Sequence, residues 1–184
     1  MQERCENCLK NLRDILGEAE MQGSRVVVPD RQIDASQQLK IAGRTVRLLY
    51  FGWASTPGDL VVLDQKSGIA FAGGLVSLGR VPDLHDANLK GWLGAIDRLK
   101  KTAARIIVPG FGPPARLGDI VETRAYLKAL DAAVRAQYRN GTSLLEAPRN
   151  TPLPLFQNKK MYSNLHPRNV QQRYLEIERE EFNR

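Results

Sequence analysis

Few residues in this chain could do chemistry, and their spacing limits what that chemistry can be. There are 184 residues, with only two histidines, His85 and His166, and two cysteines, Cys5 and Cys8. A catalytic zinc site needs about three protein ligands plus an open position, and a structural one needs four. Two histidines far apart in sequence supply neither set. The C-x-x-C pair stands alone near the N-terminus on a segment of helical spacing, so one chain cannot form a four-cysteine knuckle. A redox dithiol wants a strand before the pair and a helix N-terminus beneath it, whereas this pair reads as lying within a helix. An inert pair or an adventitious disulfide is the simpler expectation. In VPDLHDANLKGW, Asp83, His85 and Asp86 could suggest a metal, but Asp86 reads more simply as the cap of a helix over 87–101. His166, before Pro167 in what reads as an extended loop, is expected to make a structural hydrogen bond. No Ser–His–Asp order, phosphate-binding loop or dinucleotide fingerprint is present, and a lone Ser55 is not a nucleophile.

The elements that would position these residues follow from periodicity. Residues 3–17 carry apolar positions at Cys5, Cys8, Leu9, Leu12, Ile15 and Leu16, a helical spacing that Gly17 ends. RVVV (25–28), QLKIAG (38–43) and TVRLLYFG (45–52) read as strands, the last two joined by a hairpin turn at Ala42-Gly43. LVVLD (60–64) and GIAFAG (68–73) form a second predicted hairpin. The period then changes: Leu89, Trp92, Leu93, Ile96 and Leu99 make one helical stripe. ARIIVPG (104–110) reads as a short buried strand, and 118–139 as an amphipathic helix closed by Gly141. Residues 147–168 hold four prolines and read as an extended connector. The stretch 170–182 is predicted helical, with Val170, Tyr174, Ile177 and Phe182 as its buried stripe. Strands followed by strand–helix alternation suit a mixed α/β layered sandwich. The expected organisation is a domain over 1–146 with a Pro-rich connector and C-terminal helix, 147–184, packed on it.

Three segments that follow one another at strand-and-turn spacing carry a resemblance: GWASTPGDLVVLD (52–64), GIAFAGGLV (68–76) and IIVPGFGP (106–113). They resemble the second half of a metallo-β-lactamase-fold hydrolase. In that family the frames read roughly G-x-x-H-T-P-G-D, F-x-G-D and P-G-H-G, and the His, Asp and His bind metal. Here those positions are Ser55, Gly74 and Phe111. The family's His-x-His-x-Asp-His run is absent. The resemblance therefore implies an αββα sandwich, incomplete and made of the second half plus C-terminal helices, with a degenerate metal site. Zinc, the family's cofactor, is not expected, and neither is a catalytic residue. A hydroxyl is a weak neutral ligand, a glycine has no side chain, and a phenyl ring dries the pocket. Thr56, Pro57, Gly58 and Asp59 shape a turn, and Pro109, Gly110 and Gly112 shape a strand exit, with or without metal.

The early C-x-x-C-L helix, LHDANLKGWLGAIDRL and NLHPRNVQQRYLEIEREEF further resemble the bacterial quinoprotein relay system zinc metallohydrolases. The resemblance implies a non-catalytic protein or domain fragment that acts, if at all, as a binding or assembly module; the alternative it implies is a zinc hydrolase of esters or thioesters whose remaining ligands come from another chain. A lone second half leaves one sheet face uncovered, so a homodimer or a complex with a first-half polypeptide is expected. Net charge is +7, with a modest concentration at Arg98, Lys100, Lys101 and Arg105. Without interleaved aromatics or a reader motif, this is a solvated basic surface and not a nucleic-acid site. No run approaches the roughly 18 apolar residues of a membrane span. The polar start MQERCENC lacks an export signal, so the chain as written is expected in the cytoplasm, while full-length relatives are expected to reach the periplasm.

Overall fold

The computed structural model describes residues 2–183, which fall into two compact units, Met1–Asp34 and Ala35–Arg184. The first unit holds one helix, α1 (Gln2–Leu16), and a strap that returns along it, tied where Arg13 Nη2 donates to the Ser24 carbonyl at 3.1 Å. Residues 25–28, expected as a strand, are irregular, and Val27 is exposed. β-branched residues favour a strand only when another strand is there to pair with.

The second unit is built on one six-stranded sheet: β1 (Gln37–Ile41), β2 (Arg44–Tyr50), β3 (Leu60–Asp64), β4 (Ile69–Ser77), β5 (Ile106–Phe111) and β6 (Ala115–Arg116). Spatial order follows chain order, and every pairing is antiparallel except β4 with β5. The turn between β1 and β2 is the expected Ala42-Gly43 pair. Both residues have positive φ, +46° and +74°, which the twist of a two-residue hairpin requires. The parallel step from β4 to β5 needs a crossover, and α2 (Leu89–Leu99) supplies it. Asn88, not Asp86, caps this helix: its side chain accepts from Gly91 N at 3.0 Å. The helix therefore starts two residues later than expected. The Asp86 carbonyl instead takes the Trp53 indole N–H at 2.6 Å.

Alternation along the strands sorts the sheet into two faces. One face presents Leu49, Val61, Leu63, Ala70, Ala72 and Ile107, all buried. Trp92, Ile96 and Leu99 of α2, with Tyr126, Leu127 and Leu130 of α3 (Val121–Arg139), join them in one core. Trp92 is fully buried, and its indole N–H reaches the Leu75 carbonyl at 2.9 Å, so α2 is pinned to β4 by a hydrogen bond as well as by packing.

The other face is apolar too. Leu48, Val62, Phe71 and Val108 stand in register across β2 to β5. Leu48 is buried, Val62 and Val108 are half-buried, and Phe71 is 50% exposed. A second row on this face runs through Leu39, Val46, Asp64, Ile69 and Ile106. Hydrogen bonds from Ser67 and Arg44 hold the Asp64 carboxyl down at about 2.

Residues 147–168, expected as an extended connector, are largely helical. They hold α4 (Ala147–Asn150), a short 3-10 turn at Pro154–Phe156 and the start of α5 (Tyr162–Phe182). Pro148 sits in the first turn of α4, where its missing N–H costs nothing. Pro167 lies inside α5 and is tolerated because Leu165, His166, Asn169 and Val170 are buried on both sides of it. Phe182, expected in the buried stripe, is exposed at the helix end. Arg173 is buried and joins α5 to α3: it donates to Asp131 at 2.7–2.8 Å, to Glu176 at 2.7 Å and to Glu180 at 2.9 Å. Arg135 reaches Asp131 and Glu180 from α3, so two guanidiniums and three carboxylates share one network.

Candidate functional site

The first frame is a loop between β2 and β3 folded around one carboxylate. Asp59 accepts from the Ser55 hydroxyl at 2.7 Å, from the Thr56 backbone N–H at 2.7 Å and from the Thr56 hydroxyl at 3.3 Å. Thr56 Oγ1 in turn accepts from Gly58 N at 3.2 Å, which tightens the turn that Pro57 and Gly58 begin. Such Asx and Ser/Thr contacts shape a turn from within. The loop is also held from outside. Tyr50 donates its hydroxyl to the Pro57 carbonyl at 3.3 Å, and Asn88 N donates to the Ala54 carbonyl at 2.8 Å.

The second frame enters from β4, where its pairing with β5 is interrupted around Gly73. Gly73 has φ +52°, while Gly74 does not need a left-handed backbone. A Cβ on Gly74 would lie 2.8 Å from Ser55 Oγ and 3.7 Å from Asp59 Oδ1. Two of the three frame positions thus converge, and the space between them is filled by a serine hydroxyl already bonded to Asp59. Gly110, in the third frame, is required by proximity: a Cβ there would stand 2.7 Å from the Gly73 carbonyl. Gly112 has φ +102° and faces the Leu78 carbonyl, so a side chain is excluded on both grounds. Phe111 lies across from Ser77, and its ring carries the Arg80 guanidinium 4.0 Å from its centroid.

This arrangement does not fit a metal. Ser55 offers a neutral oxygen engaged with Asp59, Gly74 offers none, and Phe111 offers a ring face occupied by a cation. Among the described residues, no group of three or more His, Cys, Asp or Glu side chains is placed to hold an ion.

The two histidines lie elsewhere. His85 is exposed, its backbone N–H bonded to Asp83 Oδ1 at 3.0 Å. His166 is buried in α5, not in a loop, and both ring nitrogens are used. Nε2 lies 2.6 Å from the Thr151 carbonyl and Nδ1 lies 3.0 Å from the Tyr126 hydroxyl. A carbonyl can only accept, so Nε2 carries the proton and Nδ1 accepts from Tyr126. Asn169 completes the cluster. Its amide nitrogen donates to Tyr126 Oη at 2.9 Å and to the Pro82 carbonyl at 2.8 Å, and its oxygen accepts from Leu84 N at 3.0 Å. Burial pushes the His166 pKa down, partly offset by its bond to Thr151, and pushes the Tyr126 hydroxyl well above its ordinary value. Asn169 and Tyr126 were not singled out by sequence. The available signal was that His166, Asn169 and Arg173 fall on the same helical stripe as Val170 and Ile177.

Against solved structures, the chain is similar to a metallo-β-lactamase from Pontibacter korlensis, at 23% identity and a TM-score of 0.51, over 65% of this chain and 62% of that one. It is also similar to VMB-1, at 22% identity and a TM-score of 0.49, over 66% and 61%. The chain thus spans less than two thirds of either structure. No protein-family model matches, and no curated protein does. The likeness shows a fold: a mixed α/β, metallo-β-lactamase-like architecture built here on one six-stranded sheet with helices.

Proposed function

We propose that this chain is a non-catalytic protein of metallo-β-lactamase-like fold whose frame site binds no metal, and that it works as a binding and assembly module. The observation that carries this reading is the filled space between Ser55 and Gly74. A bridging carboxylate would have to stand where the Ser55 hydroxyl sits 2.8 Å from the Gly74 Cβ position. Ser55, Thr56 and Asp59 satisfy one another instead, so no polar group there is left seeking an ion. The subgroup we favour is the bacterial quinoprotein relay system metallohydrolases, of which this would be a degenerate second half, with 147–184 as part of the same domain.

The binding surface of the module is its open sheet face. Phe71, Ile106, Val62 and Val108 leave apolar area in solvent there, and soluble monomers seldom expose more than a few hundred Å² contiguously. A second copy, or a polypeptide carrying the first half, would supply the missing layer. At about 25 cal/mol per Å², covering on the order of 1,000 Å² favours association enough to offset much of its entropic cost.

The test is metal analysis with cobalt substitution, which distinguishes nitrogen and oxygen ligands from sulfur, alongside assays on generic ester, thioester and β-lactam substrates. No nitrogen- or oxygen-ligated metal and no turnover are expected. One equivalent of such a metal, removed by chelator together with an activity, would refute the proposal and favour a zinc hydrolase completed by another chain.

A further inference from the structure

The helix α1 carries an uncovered seam with two free thiols in it. Cys5, Cys8, Leu12 and Ile15 are separated by three, four and three residues, the alternation that keeps one line of side chains facing a partner helix. Leu9 and Leu16 widen the line on one side. Glu6, Lys10, Arg13 and Asp14 all fall on the outward positions. Both cysteines are exposed and unbridged, Leu12 is 40% exposed and Ile15 is 77% exposed. The strap of the same unit returns along the Arg13 side of the helix and so leaves this line open.

We propose that α1 is a pairing helix, and that two copies of this chain jointly hold one zinc ion through Cys5 and Cys8 of each. A second copy is the occupant because the seam is self-complementary. By heptad position the residues that flank it are Arg4, Leu9, Asn11 and Leu16, and a parallel copy sets position 4 of one helix against position 9 of the other, so no like charges come face to face. Two-fold pairing of one patch with itself also doubles whatever that patch carries. Here it doubles half of a tetrahedral ligand set. One chain offers two thiols, and among the described residues no third His, Cys, Asp or Glu joins them in a group placed to hold an ion. Two chains offer four. Residues three apart on a helix rise by about 4.5 Å, so Cys5 and Cys8 of both copies form adjacent layers. That spacing lets four sulfurs converge at about 2.3 Å on one centre.

Metal and seam depend on one another. Fifteen residues are marginal as a free helix, and two heptads make a weak pair without a further tie. The thiols must lose their protons to bind, so zinc uptake releases protons and weakens as pH falls. The site is separate from the frames and stands whether or not they are inert.

The experiment uses the full chain, purified under reducing conditions, with zinc titrated and mass followed by sedimentation. Half an equivalent of zinc per chain is expected, bound by a dimer, with cobalt giving the intense charge-transfer bands of a tetrahedral thiolate site. Cys5→Ser/Cys8→Ser should abolish this uptake. Leu12→Asp/Ile15→Asp, which keeps every thiol, should weaken zinc at least tenfold, because the seam no longer brings the second pair. All four residues face solvent, so these variants leave the core intact. One zinc per chain on a monomer, zinc retained without the cysteines, or unchanged affinity in Leu12→Asp/Ile15→Asp would each overturn the proposal. So would a disulfide-linked protein that takes up no zinc after reduction.

Discussion

A double-mutant cycle on Ser55 and Gly74 tests the convergence of the frame positions directly. Ser55→Ala removes one hydrogen bond to a carboxylate, a class of bond that contributes about 1.5–3 kcal/mol. The low end applies, because Asp59 keeps the Thr56 backbone N–H and hydroxyl. Gly74→Ala has no backbone cost, since φ at Gly74 lies outside the left-handed region. Its new methyl would stand 2.8 Å from Ser55 Oγ, so the hydroxyl must swing away and lose the same bond to Asp59. That costs about 1.5 kcal/mol, less about 0.4–1 kcal/mol gained by restricting the unfolded chain. In the double variant the oxygen is gone. The nearest remaining atoms are Asp59 Oδ1 at 3.7 Å and Ser55 Cβ at 3.8 Å, an ordinary contact. The double variant should then be no less stable than Ser55→Ala alone, with a coupling of about 1.5 kcal/mol. Urea denaturation with a shared m-value measures this. Sites that do not touch add within about 0.5 kcal/mol, so additivity at that level would refute the geometry.

Two further outcomes follow from the same structure. Burial lowers the His166 pKa in the folded protein, so the unfolded chain takes a proton more readily. Its contribution to stability is therefore fully present above the unfolded pKa of about 6.5 and is lost as pH falls below it, at up to about 1.4 kcal/mol per pH unit. His166→Gln should flatten stability between pH 7 and 5 in urea titrations, and an unchanged slope would show that His166 does not titrate as argued. Phe71→Asp places a charge on the open sheet face at a half-exposed position. With a chelator present, so that α1 holds no zinc, it should reduce association at least tenfold in sedimentation equilibrium with little change in the urea midpoint; equal association by variant and parent would remove that face from the interface.

Much of the architecture was legible because local rules and tertiary structure agreed. Ala42-Gly43 marked a two-residue turn, the Leu89–Leu99 stripe marked α2, and the three frames marked a sheet with glycine-bound loops. Agreement failed where partners decide. Val26–Val28 has strand propensity but no strand to join, so it stays irregular. Four prolines made 147–168 read as extended, yet Pro148 sits harmlessly in a first turn and Pro167 is outweighed by the burial of its neighbours. The cap of α2 moved from Asp86 to Asn88 because Ala54 and Trp53 fix the entry of the chain.

The site divides along the same line. Sequence alone determined which side chains the three frames can offer, since a side chain that is not encoded cannot be supplied by folding. Ser55, Gly74 and Phe111 were visible as departures from a frame on that ground. Only tertiary structure decided what surrounds those positions: a hydroxyl in the space beside Gly74, bonded to Asp59, and a guanidinium over Phe111. It also decided that His166 belongs to a buried cluster with Tyr126 and Asn169, residues 40 and 3 positions away in sequence. Hydrogen bonds of that kind depend on distances of about 3 Å between groups that only packing brings together, and no spacing along the chain encodes them.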